Sequence, residues 1–162
     1  MTAKTKETEI YADPALPTIK IVREFDAPRE RVFRAWSDPE LFAQWIGPRS
    51  IETHIDHWDA RTGGSWRYRA VRDGEELAAF YGAFHEVRPH ERLVQTFTFE
   101  GQPDGVSLET MTFEELEGGR TRITGLSVVE SLEIRDMVMA SGMDVGVIEG
   151  YEKLDELLAR RS

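Results

Sequence analysis

Few residues in this chain combine a reactive type with a spacing that chemistry needs. His54 and His57 are three positions apart, which places two imidazoles on one face of a helix but on opposite faces of a strand. The run around them, IETHIDHW, alternates like a strand and brings no third ligand, so no metal site is expected. The sequence contains no cysteine, which excludes disulfides, thiolate nucleophiles and cysteine-held metals. It also lacks a G-x-S-x-G elbow, an H-E-x-x-H pair, a P-loop and a dinucleotide fingerprint, and no metal or nucleotide cofactor is expected. What remains is acid/base work by inward-pointing groups. Alternation allows Tyr68, Tyr81 and His85 to share an apolar face, the kind of polar set a cyclase-like reaction needs. In the alternative reading both tyrosines are core residues reaching a backbone partner, and His85 ends a strand. Asp136 falls on the apolar stripe of the last helix. There it either orients a ligand or sits near the helix start, where negative charge is favourable.

The aromatic residues are denser than the reactive ones. AWSDPELFAQWIGP, residues 35 to 48, holds two tryptophans and a phenylalanine. Trp36 reads as core. Trp45 ends a short helix beside the Gly47-Pro48 break, a place from which a side chain both closes a core and lines a pocket mouth.

These residues need elements to position them. Residues 1 to 17 are polar, carry Pro14 and Pro17, and read as a flexible lead-in; residues 18 to 162 read as one domain. TIKIVREF alternates as a first strand. DAPRERVFRAW starts a helix capped by Asp26 or Ala27, with Val32, Phe33 and Trp36 on one face. Ser37 and Glu40 match a capping box for a second short helix. From residue 51 the period becomes two, and six strands follow, separated by RTGG, RDGE, RPHE, GQPDG and EGG. Short turns imply an antiparallel meander with one apolar face.

A long helix over about 132 to 160, capped by Ser131, completes the chain. Its stripe of Leu132, Met139, Met143, Val147, Gly150, Leu154 and Leu157 covers the apolar face of the sheet. The fold class is therefore α+β, a seven-stranded antiparallel sheet with two short helices after the first strand and a long C-terminal helix. Val138, Val145 and Ile148 lie off that stripe, which predicts a cover over them. Either the short helices or a second subunit provides it, and a homodimer is favoured.

Gly146 and Gly150 lie on the buried side of this helix, with Gly142 close to its edge. Each glycine costs roughly 1 kcal/mol relative to alanine in a helix interior. Either the helix backbone comes close to its neighbour there, or the missing side chains leave room.

The order of elements and four stretches resemble the START-like, or SRPBCC, helix-grip superfamily, which includes the birch-pollen-allergen-like proteins. Within it the chain is most similar to the branch named for the activator of the heat-shock-protein-ninety ATPase. The stretches are DAPRERVFRAWSDPELFAQWIGP, GGSWRYRAVRDGEE, GAFHEVRPHERLVQTFTFEG and SGMDVGVIEGYEKLDELLA. The resemblance implies a curved sheet gripping the last helix, with a cavity between them and no shared catalytic triad. Candidate lining residues are Trp45, Trp66, Tyr68, Tyr81, His85, Phe97, Met111, Met139, Met143 and Gly146.

The expected function is binding of a small apolar or aromatic molecule. The alternatives are a polyketide-cyclase- or hydrolase-like enzyme using acid/base groups in the same cavity, and a protein-interaction module like the chaperone ATPase activator. The eukaryotic activator has a separate N-terminal domain to which residues 1 to 17 do not correspond.

The net charge of -10 repels phosphate backbones and anionic lipid, so neither nucleic acid nor a membrane surface is an expected partner. The N-terminal residues resemble no secretion signal, and no apolar run is long enough to span a bilayer. A soluble cytoplasmic protein is expected.

Overall fold

The computed structural model describes residues 7–160. Its elements are β1 (Glu9–Ala12), β2 (Thr18–Phe25), α1 (Arg29–Ser37), α2 (Pro39–Trp45), β3 (Glu52–Trp58), β4 (Ser65–Arg72), β5 (Glu75–Arg88), β6 (Arg92–Phe99), β7 (Ser107–Leu116), β8 (Arg120–Val128), α3 (Leu132–Ala140) and α4 (Met143–Ala159). The strands form one open antiparallel sheet in the order β1-β2-β8-β7-β6-β5-β4-β3. This is the helix-grip α+β arrangement, with eight strands where seven were expected.

The additional strand lies inside the segment read as a flexible lead-in. Glu9 to Ala12 pair with Val22 to Ile19 at the sheet edge, so that reading is corrected for these residues; residues 1–6 lie outside the described part of the chain. Tyr11 alternates out to solvent, which gives the strand too weak a hydrophobic pattern to be legible.

The short helices form where the apolar spacing places them. α1 buries Val32, Phe33, Ala35 and Trp36. Its N-cap position is Pro28. α2 is capped by Asp38 rather than through the Ser37–Glu40 box, because the Asp38 carboxylate accepts from the Glu40 N–H at 2.9 Å.

The C-terminal helix is broken. α3 ends at Ala140, and Gly142 takes φ +89° before α4 begins, a conformation that glycine adopts without a side-chain penalty. Ser131 caps α3, as its spacing predicts, by accepting from the Ile134 N–H at 3.2 Å. The break rotates the two halves relative to a single stripe. Asp136 consequently turns outward, 71% exposed, and pairs with Arg135; the inward group is the Arg135 guanidinium, which donates to the Leu16 and Thr18 carbonyls. Val145 and Ile148 are exposed, whereas Val138 faces the interior cavity, so one of the three residues assigned to an outer face does not belong there.

α4 is locked to the sheet by Arg23 of β2, which is 2% exposed and forms a two-pronged pair with Asp155 at 2.6 and 3.0 Å. Around it Phe25, Trp36, Trp45, Tyr151 and Leu154 form the packed end of the core. On the outer face of β4, Arg67 bridges Asp56 and Glu100, and Arg69 also reaches Asp56. That face is wet and ionic, as the alternation of Trp66 and Tyr68 against Arg67 and Arg69 requires.

Candidate functional site: an aromatic cavity with one inward acid

Beside this cluster, and sharing Trp36, Trp45 and Tyr151 with it, is a space where sheet and helices do not meet. A cavity of about 490 Å³ lies between the inner face of the sheet and the helices. Its walls come from α1 and α2 (Trp36, Phe42, Trp45), from β3, β4 and β5 (Trp58, Trp66, Tyr68, Phe80) and from the helices α3 and α4 (Ile134, Met143, Val147, Tyr151). The rings pack on one another as well as on the space. Trp36 and Trp45 have centroids 4.6 Å apart, Phe42 and Trp58 4.9 Å, and Trp66 stacks on Tyr68 at 5.4 Å. Two indoles are tied to backbone: Trp45 Nε1 donates to the Ala35 carbonyl and Trp58 Nε1 to that of Ser37, both at 2.8 Å. These bonds fix two walls. Exposed Phe99, Val106 and Leu126 lie where the cavity meets solvent.

The sequence-based candidates divide cleanly. Trp45, Trp66, Tyr68, Phe97, Met111, Met143 and Gly146 all line the cavity, while Tyr81, His85 and Met139 do not. Tyr68 pairs with Phe80 across the β4–β5 ladder, and Tyr81 pairs with Arg67. Tyr81 therefore shares the ionic outer face. His85 has the same parity, reaches solvent, and abuts a register shift between Phe84 and Glu86. Met139 is displaced by the break at Gly142 and is only half-buried outside the cavity.

His54 and His57 are also corrected, because an irregularity in β3 between Ile55 and His57 turns both outward. His54 lies 3.1 Å from Glu52, and His57 lies 2.8 Å from the Ser65 hydroxyl. No group of three metal-ligating side chains occurs among the described residues.

The three helix glycines serve three different purposes. Gly142 makes the turn. A Cβ on Gly150 would lie 3.0 Å from the Trp45 carbonyl oxygen and 3.4 Å from the Gly47 nitrogen, so this glycine permits close backbone approach. A Cβ on Gly146 would meet only Pro48, at an ordinary 3.5 Å, and this glycine lines the cavity.

The most informative residue is one the sequence reading did not select. Glu109 projects from β7 into the cavity wall. In the ladder it sits directly between Gln95 of β6 and Ser127 of β8, within the cross-strand row Ile19–Ser127–Glu109–Gln95–Phe84. Gln95 Nε2 donates to Glu109 at 3.0 Å and the Ser127 hydroxyl at 3.4 Å. Burial in this apolar surround pushes the Glu109 carboxyl up to about 6, and these two hydrogen bonds oppose the rise.

Tyr68 and Tyr151 flank the same space. Burial, reinforced by the Glu109 charge, holds both phenols well above their usual range, so they stay protonated donors. The buried Trp66 indole N–H finds no acceptor among the described residues. The signal for Glu109 was present in VSLETMTFEEL: it has the parity of Met111 and Phe113, the inward residues of that strand.

The family model described as Activator of Hsp90 ATPase homolog 1-like protein matches residues 26–159, which is most of the chain. The chain belongs to this family. Its fold matches solved structures closely. A solution structure of an Arthrobacter aurescens protein is 29% identical, with a TM-score of 0.85 over 95% of this chain and 92% of that one. A Mycobacterium smegmatis crystal structure is 28% identical, with a TM-score of 0.84 over 96% and 98% of the two chains. A Rhodobacter sphaeroides protein reaches 0.85 at 25% identity, covering 94% and 99%. No curated protein matches the sequence. Among the described residues no helix is long and apolar enough to cross a membrane.

Proposed function

We propose that this family member is a soluble cytoplasmic binding protein whose cavity takes a small, largely apolar or aromatic molecule. The observation that carries this reading is the cavity of about 490 Å³ walled by aromatic rings, within the 300–1,000 Å³ typical of ligand sites. At about 24 cal/mol per Å³, a dry sealed void of that size would cost about 12 kcal/mol, comparable with the whole stability of a domain. Such a space is stable only when filled by solvent or by a ligand, and an apolar ligand gains from displacing water off the rings.

Titration with N-phenyl-1-naphthylamine, an uncharged probe that fluoresces in dry surroundings, tests the reading. Saturable binding with quenching of tryptophan emission is expected. Absence of binding by protein with intact near-ultraviolet circular dichroism would overturn it.

A second reading has a specific observation in its favour. A carboxyl held near 6 beside two protonated phenols is suited to acid/base catalysis on a bound molecule, the cyclase- or hydrolase-like alternative. Turnover of an aromatic ester or polyketide-like substrate that is lost in Glu109→Gln would favour it over simple binding.

A further inference from the structure

We infer that the cavity selects a lipophilic amine, a protonated nitrogen on an apolar or aromatic body, with the ammonium seated on the Glu109 carboxylate. This deepens the cavity-binding reading and rests on it. Two observations carry it, the sign of the charge in the wall and the incomplete pairing of Glu109.

Charge comes first. Glu109 and Glu130 line the cavity, and among the described residues no lysine, arginine or histidine does. The buried arginines of the described core are engaged elsewhere: Arg23 holds Asp155, while Arg135 holds Asp136 and two backbone carbonyls. Lys153 is turned toward the carbonyls of Ile46 and Pro48, at 3.4 Å from each. No cation of the described protein therefore neutralises Glu109 from within the cavity.

Pairing comes second. An ionised carboxylate offers about four acceptor sites, of which Gln95 and Ser127 take two. Both donors are neutral, and neutral hydrogen bonds only partly offset the cost of a charge in an apolar place. A ligand ammonium supplies the missing charge and fills the remaining acceptor sites. The ring faces around it suit a cation as well as an apolar body. An overall charge of -10 favours the approach of cations and disfavours anions. A ligand carboxylate would meet Glu109 with like charge in a low-dielectric space.

The titratable groups that share the cavity wall with Glu109 are Tyr68 from β4 and Tyr151 from α4, both of which feel its charge, and the exposed Glu130 after β8. The two phenols remain neutral across the accessible range. Amine affinity is expected to weaken as pH falls below about 6, where Glu109 protonates, while an alkylammonium stays charged.

The test uses three probes of one shape: 1-naphthylmethylamine, 1-naphthalenemethanol and 1-naphthoate, titrated calorimetrically. At pH 7.5 the amine is expected to bind roughly ten- to a hundred-fold tighter than the alcohol, the range for a charge-assisted hydrogen bond, and the carboxylate weakest. In Glu109→Gln, whose amide oxygen still accepts from Gln95 while its NH2 donates to the Ser127 hydroxyl oxygen, the amine's advantage should vanish while alcohol affinity is retained. Glu130→Gln should keep the advantage. Equal binding of amine and alcohol, or a preference that survives in Glu109→Gln, overturns the inference and leaves the apolar cavity standing. Failure of all three probes to bind folded protein overturns both.

Discussion

Replacing Gly146 and Gly150 separately opposes two sites one helical turn apart whose surroundings differ in kind. Gly146→Leu points a side chain past Pro48, 3.5 Å from the new Cβ, into the cavity. Removing a helix-interior glycine gains roughly 1 kcal/mol of helix propensity, and each methylene that reaches apolar wall adds about 0.8 kcal/mol at most. A domain of this size gains roughly 2–4 °C in melting temperature per kcal/mol. The variant is therefore expected to melt at or a few degrees above the wild type while binding N-phenyl-1-naphthylamine at least about tenfold more weakly. Gly150→Ala adds a single methyl, but its Cβ falls 3.0 Å from the Trp45 carbonyl oxygen, a backbone atom that cannot swing aside. Overpacking there should outweigh the same propensity gain and leave a net loss of about 1 kcal/mol or more. Differential scanning calorimetry with probe titration on both variants checks the pair. A destabilised Gly146→Leu beside a stabilised Gly150→Ala would refute the placement of the cavity against α4.

Two further outcomes concern charge. The Glu109 carboxyl is raised from 4.5 to about 6 on folding, so the folded state holds the extra proton between these values, and stability falls as pH rises through that window. A shift of that size corresponds to about 2 kcal/mol as an upper figure, lessened by cavity solvent. Glu109→Gln should accordingly stabilise the protein at pH 7.5 and leave it unchanged near pH 4, as urea denaturation at the two pH values would show. Asp155→Ala leaves the Arg23 guanidinium, 2% exposed, without its two-pronged carboxylate and should cost about 3 kcal/mol. A loss below about 1 kcal/mol by the same denaturation assay would mean that the pair does not anchor α4.

Local chemistry in the sequence determined much of this protein. The period-two runs from Glu52 to Val128, the Pro-started short helices and the Ser131 cap are contacts within a few residues, and they appear where their spacing puts them. Seven of the ten candidate residues line the cavity because they have the inward parity of their strands or the inner side of a helix. Parity within a strand is a local property, but which parity faces inward depends on the neighbouring ladder. Tyr81 and His85 were lost for this reason: the pairing of Tyr68 with Phe80 turns their whole set outward. A one-residue irregularity in β3 did the same to His57. A positive φ at Gly142 re-aimed Met139 and exchanged Asp136 for Arg135 on the inner side. Glu109 shows the limit most clearly. Its inward parity could be read beside Met111 and Phe113, yet only three strands in register place Gln95 and Ser127 on either side of it, and only the unfilled space beneath the helices gives the carboxylate something to meet.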